Sequence, residues 1–181
     1  MKKLLILFFL SLIHSSSYAD SEVIAALQEG GKLIFIRHAI APGGGDPENF
    51  NINDCSTQRN LDASGIAQSK RIGNFFKNNN ISIDQVLSSE WCRCLDTARN
   101  AFAKHKPFNA LNSFFSTKFE KNRDKQMKDL KAFIKRWNSR KNIVFVTHYI
   151  VISEALNLTV GSGTIVVAEK NFKIIGTIEV N

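Results

Sequence analysis

Apolar residues along this chain fall into short unbroken runs separated by stretches of helical period. Leu33 to Ile36 is one such run, the pattern of a short interior strand, and it ends on Arg37 and His38 before Pro42 and Gly43 to Gly45 break regular structure. The segments "ISIDQVLSSE" and "KNIVFVTH" predict two more strands, "PFNALNSFF" a third, and "GTIVVAEKNFKIIGTIEV" a closing hairpin that turns around Glu169 to Asn171. Helical spacing fills the gaps. Asp20 to Gln28 reads as a helix capped by Ser21 and ended by Gly30-Gly31. "LDASGIAQSKRIGNFFKNN" starts at Asp62 and places Ile66, Ile72, Phe75 and Phe76 toward a core. "WCRCLDTARNAFAKH" puts Arg93 in a first helical turn. From Asn122 to Arg136, Met127, Leu130, Phe133 and Ile134, with Trp137 beyond, mark an apolar face.

Strands alternating with helices predict an α/β fold: a three-layer sandwich with a mostly parallel central sheet, helices on both faces and a C-terminal hairpin. Parallel strands share one rim for their carboxyl ends, where open α/β sheets bind ligands. Three strands deliver cargo there: Arg37-His38 after one, Arg93 just past the next, His148 after a later one. Between the first and second, "AIAPGGGDPENFNINDCSTQRN" is a long irregular segment, a length that in a folded domain marks a functional loop or disorder.

Composition changes this picture in three ways. Residues 1–19 carry Lys2 and Lys3, an apolar run from Leu4 to Ile13 and the small residues Ser17 and Ala19, which together read as a secretory signal peptide cut after Ala19. The run is about half the ~20 apolar residues a membrane span needs. The predicted mature domain is 20–181, soluble and exported to the periplasm or beyond, with no membrane span. The net charge is +8, or +6 once Lys2 and Lys3 leave with the signal, which suits an anionic ligand. Acids and apolar residues interleave the densest basic stretch, so a solvated helix face explains it better than a nucleic-acid surface. Finally, Cys55, Cys92 and Cys94 in an exported chain predict one disulfide joining Cys55 to Cys92 or Cys94 and closing a loop of about 40 residues. The Cys-x-Cys spacing lacks the two-residue gap of zinc and redox motifs, and no metal or other cofactor is expected.

Two arginines and two histidines on one rim accumulate positive charge that an anion must offset. Phosphate fits, because guanidinium forks hold its oxygens bidentately. A neutral histidine among them can attack phosphorus through one ring nitrogen while a backbone carbonyl holds the other and fixes the tautomer. The second histidine can stabilise the oxygens of the transferred group.

At these residues the chain resembles the histidine phosphatase superfamily, also called the phosphoglycerate-mutase-like fold. The carriers are "FIRHAIAPG", "SSEWCRCLDTA" and "VTHYIVISEAL", with "LDASGIAQ" similar to the family's helix entry, spread in order from Leu33 to Leu156. The resemblance implies His38 as nucleophile, Arg37 and Arg93 as phosphate ligands and His148 as the second pocket histidine. It implies an exported phosphatase acting on a phosphorylated small molecule, sugar or envelope component through phosphohistidine. A phosphate-ligand binding protein of the same fold with weak turnover is the alternative.

Two departures stand out. Ala39 replaces the family's usual glycine, and neither family acid is in place: Leu111-Asn112-Ser113 stands for Leu-Asn-Glu, and Tyr149 follows His148 where one branch has aspartate. Asp46, Glu48, Asp54 and Glu120 are the carboxylates able to substitute, with Glu120 the favoured candidate acid. Arg59 is either a third phosphate contact or a loop anchor paired with Asp62.

Overall fold

In the computed structural model, which describes residues 15–180, burial is deepest on the two unbroken apolar runs. These form β1 (Leu33–Arg37) and β4 (Asn142–Thr147), paired in parallel from Leu33 opposite Ile143 to Arg37 opposite Thr147. Residues 1–14 of the expected signal peptide lie outside the described residues. Continuous hydrophobicity is what a parallel strand needs when both its faces are covered. On β4 all six residues are buried.

β2 (Ile83–Ser88) pairs with the other edge of β4, and the two-residue β3 (Lys106–Pro107) pairs with β2, both in parallel. The hairpin of β5 (Ile165–Ala168) and β6 (Ile174–Ile178) then adds to the free edge of β1, with β5 antiparallel to it. The order is β3-β2-β4-β1-β5-β6. The sheet is therefore mixed, which corrects the mostly parallel expectation: the loop after α6 brings the chain back to the carboxyl end of β1, where Gly163 N donates to Arg37 O at 3.1 Å, so β5 starts at that end and runs antiparallel to β1. The strand expected over "PFNALNSFF" is also corrected. Pro107 has no N–H to extend a ladder, and the chain turns into a short 3-10 helix at Asn109–Leu111.

Alternation sends successive strand residues into two apolar clusters. Leu33, Phe35, Ile143 and Phe145 pack with Met127, Leu130, Ile134, Val151 and Ile152, from α5 (Arg123–Arg136) and α6 (Tyr149–Leu156). Ile34, Ile36, Val144 and Val146 pack with Leu27, Ile72, Phe76 and Ala98, from α1 (Ser15–Glu29), α2 (Ala63–Asn78) and α3 (Cys92–Ala101). α1 begins before the expected cap, so Ser21 lies inside it. Asp62 does cap α2, accepting from Gly65 N at 2.8 Å. A Cβ at Gly65 would meet Ile40 O at 2.0 Å, so glycine there lets α2 press against the chain leaving β1. Ile66 is 39% exposed rather than core. Among the described residues no helix is long and apolar enough to cross a membrane.

Candidate active site

Pairing of β1 with β4 fixes the centre of the site. His38 N donates to Thr147 O at 2.8 Å, so His38 leaves the sheet beside His148, and the two rings lie 5.4 Å apart at 68°. The His38 ring is held at both nitrogens. Nδ1 is 2.9 Å from Ala39 O, which can only accept, so Nδ1 carries the proton. Arg93 Nε donates to Nε2 at 3.3 Å, so Nε2 presents its lone pair. Burial, followed by the charges of Arg93, Arg59 and Arg37, lowers the His38 pKa to about 3, against the opposing pull of Ala39 O. The ring is neutral at physiological pH.

His148 is equally buried, at 2% exposure. Its Nε2 is hydrogen-bonded with Ser89 Oγ at 2.9 Å and lies 3.4 Å from Cys94 Sγ, and Trp91 packs edge-on against the ring. Burial first, then Arg93, holds its pKa well below the ordinary value. Ser89 in turn donates to Asn112 Oδ1 at 3.1 Å.

The cationic side chains differ in what occupies them. Arg37 NH1 donates to Val160 O at 2.7 Å and its guanidinium lies 5.3 Å from the Tyr149 ring centroid, while its buried Nε has no hydrogen-bond partner among the described residues. An unsatisfied buried donor costs about 1–3 kcal/mol and is the kind of group an oxyanion would satisfy. Arg59 donates from Nε to Gly45 O at 3.0 Å and from NH1 to Ala41 O, so it clamps the long loop. It is not paired with Asp62, whose carboxylate is taken by Ser64 and Gly65. Arg93 is gripped from behind: NH1 and NH2 donate to the two oxygens of Asp46 at 2.7 and 3.2 Å. Asp46 also accepts from Trp91 Nε1 at 2.9 Å and from Arg59 N at 3.2 Å. Burial alone would raise the Asp46 carboxyl, but Arg93 and the other donors outweigh it and keep the pKa below its usual value.

Glycines at φ 90 and 71, Gly43 and Gly45, let the loop turn so that Asp46 reaches Arg93. The loop is tied again by a disulfide between Cys55 and Cys92, the residue before Arg93. Cys94 is the buried free thiol, its pKa pushed up to about 12 by burial, so it is protonated and unreactive.

Arg37, His38, Arg59, Arg93 and His148 thus line one cleft of about 570 Å³. Asp46 and Glu48 line it as well. Asp54 does not; it caps the 3-10 turn at Cys55–Thr57. Glu120 is the residue the structure moves away. It ends the short α4 (Thr117–Glu120), exposed and outside the cleft lining, because the strand expected to aim it gives way to 3-10 and helical turns. Sequence reasoning missed Ser89, Trp91 and Asn112 as supports. Each lies near a strand or turn end, but nothing in its spacing signals a contact with His148 or Asp46. Among the described residues no cluster of three His, Cys, Asp or Glu side chains is arranged to hold a metal ion.

The sequence matches no protein-family model and no curated protein. Solved structures do match. Phosphoglycerate mutase from Thermus thermophilus superposes with a TM-score of 0.61 at 15% identity, covering 83% of this chain and 99% of that one. The protein histidine phosphatase SixA, solved as a complex with tungstate, gives 0.58 at 12% identity over 82% of this chain and 96% of its own. The Rv3214 protein of Mycobacterium tuberculosis gives 0.59 at 14% over 82% and 96%. With its strand-end histidines and arginines gathered on one rim, the chain has the phosphoglycerate-mutase-like fold of these histidine phosphatase and mutase structures.

Proposed function

We propose that the protein is a histidine-type phosphatase that hydrolyses phosphate monoesters through a covalent intermediate on His38. The observation that carries this reading is the His38 ring itself, neutral, tautomerically fixed by Ala39 O, with the Nε2 lone pair beside Arg93 Nε. In the first step Nε2 attacks phosphorus and the P–O ester bond breaks, with Arg37 and Arg93 binding the phosphoryl oxygens and His148 at their side. The positive charge that develops on the ring is stabilised by Nδ1–H donating to Ala39 O. Asp46 is committed to Arg93 as a carboxylate, so the departing oxygen takes its proton from water in the open cleft, and the hydroxide left behind is neutralised by the proton that the orthophosphate product gives up. Water then attacks the phosphohistidine, the P–N bond breaks, orthophosphate leaves and Nε2 regains its lone pair. Arg59 holds the loop at the cleft wall and adds positive charge there.

That SixA, a structure of the same fold, was solved as a complex with the oxyanion tungstate supports a phosphate-type ligand here. The Cys55–Cys92 disulfide supports a protein that works outside the reducing cytoplasm after loss of residues 1–19. The commitment of Asp46 also favours one second reading, a phosphate-ligand binding protein with slow turnover. A rapid acid quench with labelled p-nitrophenyl phosphate separates the two. An acid-labile, alkali-stable adduct in the wild type and none in His38→Ala is expected. An active wild type that forms no adduct, or a His38→Ala protein that does, overturns the assignment.

A further inference from the structure

A second groove, of about 670 Å³, opens beside the phosphate cleft and shares Phe50, Trp91, Ser113, Lys118 and Phe119 with it as a common wall. Together the two exceed what a phosphate group occupies and reach the size of a site for an extended ligand. Their chemistry differs. The first is cationic; the second holds two acids and two lysines, Glu90, Asp129, Lys118 and Lys125, with Lys125 paired to Asp129 at 2.6 Å. The remaining polar lining is mostly amide.

Three of those amides are available. Asn51 Oδ1 accepts from Asn53 N, and among the described residues neither its NH2 nor the exposed side chains of Asn109 and Asn122 make a hydrogen bond. Asn122 is the telling one. It precedes α5, where asparagine ordinarily folds back to cap the first turn. Here its backbone is already helical at φ −87 and ψ −14, and the side chain makes no cap bond. Half-buried Phe50 and Phe119, packed edge to face at 5.7 Å, supply the apolar part of the wall.

Resting on the phosphatase reading above, we infer that this groove binds the neutral, polyhydroxyl body of the substrate, so that the substrate class is a phosphorylated saccharide. An amide both donates and accepts, which matches a hydroxyl in either role, and a ring face or edge suits the C–H side of a sugar. A lipid body would bury these amides unpaired, at a cost of about 1–3 kcal/mol each. The balanced charge gives an acidic or basic peptide no counterpart.

The test uses the purified mature protein, Asn109→Ala, Asn122→Ala and the double variant, assayed on p-nitrophenyl phosphate, methyl phosphate, a phosphoserine peptide and a panel of phosphorylated mono- and disaccharides. At least one saccharide phosphate should exceed methyl phosphate, an alkyl ester with no body to fill the groove, in kcat/KM by about tenfold or more. The double variant should raise its KM by about tenfold, two neutral hydrogen bonds of ~0.7 kcal/mol each, and leave p-nitrophenyl phosphate unchanged. Preference for the peptide, no saccharide preference, or an equal effect on all substrates overturns the inference. Should p-nitrophenyl phosphate itself not turn over, the phosphatase reading fails alone. Saturation-transfer NMR with the unphosphorylated sugars then decides the groove, signal lost in the double variant supporting it and no signal in the wild type refuting it.

Discussion

Replacing Asp46 with alanine tests how Arg93, the proposed phosphate ligand, is aimed. The Arg93 and Asp46 side chains are 5% and 18% exposed, so the pair is largely out of water. Asp46 takes the terminal edge of the guanidinium through NH1 and NH2, which leaves Nε turned toward His38 Nε2. Losing the carboxylate strands a buried cation, which costs about 3–5 kcal/mol, and also unpairs Trp91 Nε1 and Arg59 N. An arginine released from that edge is displaced by an ångström or more, enough for a loss of roughly 10²-fold in kcat/KM. Urea denaturation followed by tryptophan fluorescence measures the stability term, and p-nitrophenyl phosphate turnover the other. In an Arg93→Ala background the stability cost of Asp46→Ala should shrink by about 2 kcal/mol, since no charge is left to strand. Asp46→Asn, which keeps an acceptor, should recover part of the activity. The reasoning is refuted by equal costs in both backgrounds, by full activity in a destabilised Asp46→Ala protein, or by tighter orthophosphate inhibition in that variant, which would make Asp46 a competitor of phosphate instead.

Three further outcomes follow from the same geometry. Because His38 stays neutral when folded down to about pH 3 but takes a proton near 6.5 when unfolded, its contribution is complete above pH 7 and is lost as pH falls through that window, about 1.4 kcal/mol per pH unit. His38→Asn should flatten the slope of stability between pH 6 and 4 by that amount, and an unchanged slope contradicts the burial argument. Opening the disulfide, whose cysteines are 37 residues apart, with Cys55→Ser and Cys92→Ser should cost about 4 kcal/mol on the chain-entropy model, while thiol titration of the denatured wild type finds one group, Cys94. With Asp46 bound to Arg93 and Glu120 outside the cleft, phenyl phosphate should turn over about 10²–10⁴-fold faster than methyl phosphate and Glu120→Ala should change neither rate; equal rates on the two esters, or a selective loss of methyl phosphate activity in Glu48→Ala, would show a working general acid.

What could be read from the chain was whatever repeats along it. Runs with no polar interruption, such as Leu33–Ile36 and Ile143–Val146, have to be strands covered on both faces, and their ends had to carry Arg37, His38 and His148 to one rim. Looser spacing misleads: Ile66 and Ile72 are six residues apart, which on a helix turns the side chain roughly 120° away from the shared face, and Ile66 is exposed while Ile72 is buried. The edge that the hairpin joins is equally illegible, since nothing in the four buried residues of β5 names a partner; the loop from α6 sets it, with Gly163 N donating to Arg37 O so that β5 starts at the carboxyl end of β1 and runs antiparallel to it.

The loop is the harder case, and it holds the chemistry that the motifs left open. Residues 39–62 have no period, so their contacts are set by single long-range partners rather than by a pattern. Asp46 meets Arg93 across 47 positions, and Gln58 Oε1 accepts from Cys92 N across 34. Even the disulfide choice follows from three dimensions. Positions 92 and 94 on one helix are about 200° apart, so one cysteine faces the loop while the other faces inward, where Cys94 lies against His148. Loop, disulfide and Arg93 therefore act as one unit. Asp46, one of the four carboxylates that the sequence offers as a substitute proton donor beside the favoured Glu120, is instead the counter-ion of Arg93, and a group held ionised in that way is the wrong one to ask for a proton.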